Sequence, residues 1–324
     1  VTDGQVVRLA TRGSPLALWQ ARRVAALLHR VGVASDLVVI ETVGDRRADV
    51  PLEALGGQGV FVKEIQAAVA AGHADAAVHS AKDLPASPEL AVPGLVVAAF
   101  PERADRRDVL VGATLDTLPS GATVATGSAR RRVQLANLRP DLTFVGLRGN
   151  LATRLAVAGT GGVTAVVAAK AALDRLEWTP PPGTDCEVLD PEVMLPQVGQ
   201  GALAIECRGD DPATVAALSA IDDVLVTPLV QAERAFLAEL GGGCTLPVGA
   251  SAEWVVPGVT LTLSGLMASG DGRTVLRSRL DGDDPAALGA AVARFLLDDA
   301  GGRSLDGWLP PDTGPAAGVI GDRP

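Results

Sequence analysis

Val6-Val7-Arg8-Leu9-Ala10-Thr11-Arg12-Gly13-Ser14-Pro15-Leu16 runs from an apolar strand directly into a helix start. Residues 6–11 read as a half-buried strand. Ser14 offers a side-chain oxygen to the free amides of the next turn, and Pro15 sits where a helix needs no N–H and φ is already set. From 15 to 31 the residues Leu16, Val24, Leu27, Leu28 and Val31 share one helical face and are expected to point inward. A second strand reads over 37–43. Strand, helix, strand in this order predicts α/β architecture.

Outward from this unit, the pattern predicts a helix over 60–71 and strands over 74–79 and 94–100. Residues 44–59 form a long Gly- and charge-rich loop, read as a mobile lid. After Pro101 the alternation restarts, with strands over 108–111, 122–126, 143–147 and 164–168 and helices over 129–138, 151–158 and 169–176. The Pro-rich run Trp178-Thr179-Pro180-Pro181-Pro182-Gly183 ends this second unit. A buried strand follows over 202–207. The last third changes character: a helix over 228–240, three strands over 248–254, 259–267 and 274–280, and a helix over 285–298. Short turns between consecutive strands predict an antiparallel sheet in a smaller α+β domain. The Pro- and Gly-rich end, 310–324, reads as a disordered tail.

With 48% hydrophobic residues in 324, the chain can bury more than one core. No apolar run approaches the roughly 20 residues of a membrane span, and no signal-like segment opens the sequence. The net charge of −10 argues against nonspecific binding to nucleic acid or acidic membranes. The charge is uneven, however. Between Thr126 and Leu155, Arg130, Arg131, Arg132, Arg139, Arg148 and Arg154 face a single acid, Asp141, which leaves this window at +5 and the remainder at −15. A small polyanion is the partner such a patch suits.

The arginines cluster where strands run into helices. Gly127-Ser128-Ala129-Arg130-Arg131-Arg132 and Arg148-Gly149-Asn150-Leu151 repeat the arrangement of Arg12-Gly13-Ser14-Pro15, with Ser128, Asn150 and Ser14 as caps. Positive side chains in a first helical turn oppose the helix dipole, so an anion is expected to offset them. Free amides and guanidinium forks together make a carboxylate or phosphate site. In Ala77-Val78-His79-Ser80-Ala81-Lys82-Asp83-Leu84-Pro85, Lys82 and Asp83 lie just past a strand end. They read either as a loop ion pair or as groups facing that site, where Asp83 could accept N–H donors or stabilise a developing cation. His79, His29 and His73 read as structural.

Three cysteines without framework spacing argue against a disulfide scaffold and for a reducing compartment. Cys207 falls in a buried strand and Cys186 in a Pro/Gly-rich connection. Cys244 ends Leu240-Gly241-Gly242-Gly243-Cys244, where glycines leave a thiol uncovered. Its local context allows either a flexible turn or an attachment point. No His/Cys cluster has metal-ligand spacing. Gly199-Gln200-Gly201 precedes an apolar strand rather than a helix, which excludes a dinucleotide fingerprint, and there is no phosphate-binding P-loop.

Together these segments resemble the hydroxymethylbilane synthase (porphobilinogen deaminase) family. The resemblance rests on the stretches around Arg12, Gly56-Gly57-Gln58-Gly59-Val60-Phe61-Val62-Lys63-Glu64, Lys82-Asp83, Ser128, Leu147-Arg148-Gly149-Asn150, Val198-Gly199-Gln200-Gly201-Ala202, and Ala232-Glu233-Arg234 leading to Cys244. It implies two lobes like those of type II periplasmic binding proteins, 1–101 with 197–219 and 102–196, plus a third domain, 220–309. It further implies a dipyrromethane cofactor on a thioether to Cys244, and a cytoplasmic, monomeric transferase of tetrapyrrole biosynthesis. Such an enzyme adds four porphobilinogens head to tail, releases ammonia at each step and frees hydroxymethylbilane by hydrolysis.

By the same resemblance Asp83 is catalytic, holding pyrrole N–H groups and stabilising the azafulvene cation. Arg12, Lys82, Arg130, Arg131, Arg148, Arg154 and Arg175 would bind carboxylates, with Ser14, Gln20, Thr126, Ser128 and Gln200 adding hydrogen bonds and Phe61 stacking on a pyrrole. Gln58, Val43 and Gly127 depart from the family's usual lysine, basic residue and serine. A noncatalytic bilobal anion-binding protein is the rival reading, and the third domain and exposed thiol are what it leaves unexplained.

Overall fold

Strand β1 (Val6–Arg12) enters helix α1 (Pro15–Arg30) through Ser14, whose hydroxyl accepts a hydrogen bond from the Ala17 amide at 3.3 Å. The structure is a computed structural model that describes residues 6–41, 60–147, 149–241 and 247–305. The lid over 44–59, Cys244 and the tail lie outside the described residues, as do Arg148 and the side chain of Phe61.

The first sheet has the order β2-β1-β3-β10-β4. Strands β2 (Ala34–Ile40) and β3 (Ala76–Ser80) flank β1 in parallel, while β10 (Leu203–Arg208) runs antiparallel between β3 and β4 (Leu95–Ala99). The second sheet repeats this plan in the order β7-β6-β8-β5-β9. Here β6 (Thr123–Ala125) pairs in parallel with β7 (Thr143–Val145) and β8 (Ala165–Ala169), and β5 (Asp108–Val111) runs antiparallel between β8 and β9 (Cys186–Leu189). In both sheets the antiparallel insert, β10 or β5, follows a stretch arriving from the other lobe. Each lobe is therefore closed by chain that has just crossed over.

The first core gathers Leu9, Val24, Leu28, Leu203 and Ile205, all without solvent exposure. Each fully buried aliphatic side chain contributes roughly 1.5–3 kcal/mol. The buried face of α1 differs from the expected one: Gln20 and Ala21 are buried, whereas Val31 is 41% exposed. Val31 caps the helix and lies past its last turn, so the periodicity no longer governs where it points. Two elements have no clear sequence signal. Strand β9 contains Cys186, because edge pairing to β5 gives structure to a segment its prolines disguise. Helix α6 (Pro212–Ser219) is capped by Asp211, which accepts from the Thr214 amide at 3.0 Å.

A third sheet, β11 (Val248–Val256), β12 (Thr260–Ala268) and β13 (Val275–Gly282), is antiparallel throughout. Helices α7 (Thr227–Glu239) and α8 (Pro285–Arg294) cover it through Phe236, Leu237, Leu288 and Val292. The expected helix over 285–298 breaks after Arg294 into a π-turn, Phe295–Asp299. No helix among the described residues is long and apolar enough to cross a membrane.

Candidate functional site

Asp108 opens β5 and is completely buried, yet it is charged. Its Oδ2 accepts from Arg130 Nη1 at 2.8 Å, and its Oδ1 accepts from Arg131 Nε at 3.0 Å and Nη2 at 2.8 Å. Gln200 Nε2 donates to the same Oδ1 at 2.9 Å. Burial by itself would push this carboxyl up, but the charges of Arg130 and Arg131 and the hydrogen bonds from Arg130 and Gln200 bring it down to about 2. Both arginines lie in the first turn of α3 (Ala129–Leu138), where Ser128 caps the helix by accepting from the Arg131 amide at 3.5 Å. The expectation that an anion offsets these arginines is therefore met in part by the protein's own Asp108.

That offset is incomplete. Every nitrogen of Arg131 has an acceptor, since its Nη1 donates to Val167 O at 2.9 Å, and one N–H on each terminal nitrogen is left over. Arg130 is only 3% exposed and uses Nη1 alone, on Asp108 and on Leu195 O at 2.8 Å. Its Nε and Nη2, the edge that grips a carboxylate side-on, are buried without a hydrogen-bond partner. Such donors cost free energy unless something accepts from them.

Lys82 and Asp83 occupy a 3₁₀ turn, Ala81–Asp83, at the end of β3. Lys82 Nζ reaches Gln200 Oε1 at 3.5 Å, which links the first lobe to Asp108. Desolvation lowers the Lys82 ammonium to about 8; Asp83 and Asp108 hold it up, and Arg131 and Arg130 push it down. Asp83 itself is exposed, so its carboxylate is available to a ligand. Beneath it, Arg234 Nη2 donates to Pro85 O at 2.7 Å and fixes the chain leaving the turn.

Two further expected residues join this cluster. Gln20 donates to Ser80 Oγ at 2.8 Å, next to the Lys82 turn. Arg175, at the end of α5 (Lys170–Arg175), donates through Nη2 to Gly201 O at 2.6 Å and lies over the Trp19 ring at 5.5 Å. Its Nε is a second buried donor without a partner. Thr126 turns inward locally, its Oγ1 accepting from the Ser128 amide at 3.2 Å. Arg12 and Ser14 sit at the β1–α1 junction. Arg154 is exposed on the short helix α4 (Leu151–Leu155), where its Nε donates to Gly149 O at 2.8 Å.

A second buried pair lies close by. Arg103 Nη1 and Nη2 donate to the two oxygens of Glu233 at 2.7 and 3.0 Å, and Arg103 Nε donates to Gln200 O at 3.0 Å. The amides of Gly199 and Ala252 donate to the same carboxylate at 2.8 and 2.9 Å. Gly201 is needed here: its φ is +86°, and an added Cβ would stand 2.4 Å from Ala104 O. His79 is structural, with Nε2 3.5 Å from Glu206 Oε2, a carboxylate that Gln66 also holds. Sequence reasoning missed Asp108, Arg103 and the fixing role of Glu233. The only signal for Asp108 was an acid opening an apolar strand.

The buried donors and the half-buried lysine suit a ligand with several carboxylates. An exposed acid beside them suits a ligand that also carries N–H donors or develops positive charge. No group of three or more His, Cys, Asp or Glu among the described residues could hold a metal ion.

Comparison with known proteins agrees with this chemistry. Residues 7–216 match the family model described as porphobilinogen deaminase, dipyromethane cofactor binding domain, and 227–298 match porphobilinogen deaminase, C-terminal domain. A porphobilinogen deaminase of Syntrophus aciditrophicus is 46% identical over 307 residues, covering 92% of this chain and 97% of its own. One from Roseiflexus sp. is also 46% identical, with coverage of 93% and 98%. Among solved structures, the periplasmic VFT2 domain of Bordetella pertussis BvgS aligns with a TM-score of 0.41 at 18% identity, over 67% of this chain and 86% of that one.

Proposed function

We propose, since this chain belongs to the porphobilinogen deaminase family, that it is a hydroxymethylbilane synthase. It condenses four porphobilinogens head to tail, with loss of ammonia at each addition, and releases the linear product by hydrolysis. The observation that carries the reading is the buried, unpartnered Nε–Nη2 edge of Arg130 close to Lys82, which suits a ligand carboxylate. When bound through Cys244, the dipyrromethane cofactor supplies the primer that is extended. The orphaned donors of Arg130 and Arg175 fit its acidic side chains, and Lys82, Arg131, Arg12, Arg148 and Arg154 complete the set that would hold cofactor and substrate.

The residues divide the work by charge. The arginines and Lys82 bind acetate and propionate groups and orient each pyrrole. Asp83, exposed at its turn, accepts pyrrole N–H groups and stabilises the cation left on the substrate as ammonia departs. Ser14, Thr126, Ser128, Gln20 and Gln200 fix the helix starts and the cationic side chains, and Phe61 stacks on a pyrrole. Chain 1–101 with 197–219, chain 102–196 and chain 220–309 act as three domains of a cytoplasmic monomer that needs neither nucleic acid nor membrane. A solute-binding protein would have no use for the third domain.

Intact mass under denaturing conditions, measured on wild type and on Asp83→Ala, tests the reading. Both should carry the added mass of a dipyrrole, while porphobilinogen consumption by Asp83→Ala falls at least a hundredfold. An unmodified mass in active wild type would sink the covalent primer, and brisk turnover by the variant would sink the role of Asp83.

A further inference from the structure

Two cations, Arg130 and Arg131, meet one buried carboxylate, Asp108, and a third, Lys82, lies within reach of its charge across Gln200. The carboxylate does not use them alike. It takes the whole side-on edge of Arg131 but only the Nη1 corner of Arg130, which leaves the Nε–Nη2 edge of Arg130 as the one open fork. Leu195 O accepts from the same Nη1 and completes the clamp, so the guanidinium plane has little freedom to rotate. Gln200 ties this arrangement to the other lobe, with Nε2 on Asp108 and Oε1 facing Lys82 Nζ. A carboxylate serving stability alone would consume the forks it meets, as Glu233 does with Arg103.

We propose that Asp108 is a positioning residue for the reaction: it turns the open fork of Arg130 toward the substrate carboxylate and, through Gln200, holds Lys82 beside it. This inference rests on the proposed function and deepens it, because it assigns the specificity for a carboxylate to a residue that touches no ligand. The groups facing Lys82 are Asp83 on its own turn, Asp108 on β5, and Arg130 and Arg131 on α3, so Asp108 is the only buried negative charge in the set. Neutralising it should let Lys82 lose its proton at lower pH. Lengthening it should keep the charge and misdirect the fork.

The chain has three lysines, Lys63, Lys82 and Lys170, so lysine-ε ¹³C NMR resolves the Lys82 titration without any assay of turnover. The test compares wild type, Asp108→Asn and Asp108→Glu by that titration and by kcat and KM for porphobilinogen across pH 6.5–9. In Asp108→Asn, the Lys82 midpoint should move down from about 8, KM should rise about tenfold or more with a smaller fall in kcat, and the alkaline limb of kcat/KM should shift with the lysine. In Asp108→Glu, KM should rise while the Lys82 midpoint stays in place. A glutamate variant with wild-type KM, or an asparagine variant with an unmoved lysine and unmoved KM, overturns the proposal. If Asp108→Asn does not fold, the glutamate variant decides alone. Should wild type itself fail to turn over porphobilinogen, the functional reading falls, while the lysine shift still tests what Asp108 does to Lys82.

Discussion

Two buried arginine–carboxylate clusters lie on either side of Gln200, and they are finished differently. At Glu233 every donor has its acceptor: both terminal nitrogens and Nε of Arg103 are used, and two backbone amides fill the remaining lone pairs. At Asp108 the carboxylate is equally buried, but Arg130 keeps one edge unpartnered. A saturated pair holds elements together, here α7, β11 and the segment around Gly199. An unsaturated one leaves donors for a ligand to satisfy, which is the role proposed for Arg130. Burial and charge are the same in the two places, so on the proposed function hydrogen-bond completion is what separates structural from functional arginine.

The largest effect is expected at the saturated cluster. Glu233→Ala would leave the Arg103 charge and two amides buried without partners, a loss of about 3–5 kcal/mol. Urea denaturation should show that loss while KM for porphobilinogen stays within about twofold. A large KM effect with intact stability would erase the distinction.

Asp108 should instead show itself in acid. The folded Asp108 carboxyl sits at about 2, below its ordinary value of 3.8, so its contribution is fully present above about pH 4 and is lost as pH falls through about 2. That contribution is about 2 kcal/mol on the usual conversion of a pKa difference. Stability measured from pH 5 to 2 should fall more steeply in wild type than in Asp108→Asn, and parallel curves would refute it.

The smallest effect belongs to an arginine outside both clusters. Arg139 pairs with Asp141 at 2.8 Å, but the two side chains are 27% and 34% exposed. Arg139→Ala should leave the urea midpoint nearly where it is in wild type, and kcat/KM should be unchanged. A fall in kcat/KM comparable to that of an Arg130 variant would mean that position in the patch, not completion of bonds, decides function.

Much of this was legible in the chain. Ser14, Ser128 and Asn150 cap the helices they were expected to cap, because capping depends on residues two or three positions away. Alternating strand and helix periods gave two successive α/β units, and short turns gave the antiparallel third sheet. The misses have one physical source. Strand β9 exists because β5 offers it an edge, and Val31 is exposed because α1 ends before it, and neither condition is local. The site was legible as types of residue: arginines at helix starts, an Asp after a Lys, a thiol after glycines.

What the sequence determined by itself was a surplus of guanidinium groups at strand–helix junctions, with too few nearby acids to neutralise them. That surplus implied a polyanionic ligand before any contact was known. Only the tertiary structure decided which arginine keeps a fork open. Asp108 stands 22 residues from Arg130 and 92 from Gln200, and the crossing of β5 and β10 between lobes brings them together. Hydrogen-bond completion is a property of that meeting. It depends on angles between groups far apart in the chain, which no local pattern encodes.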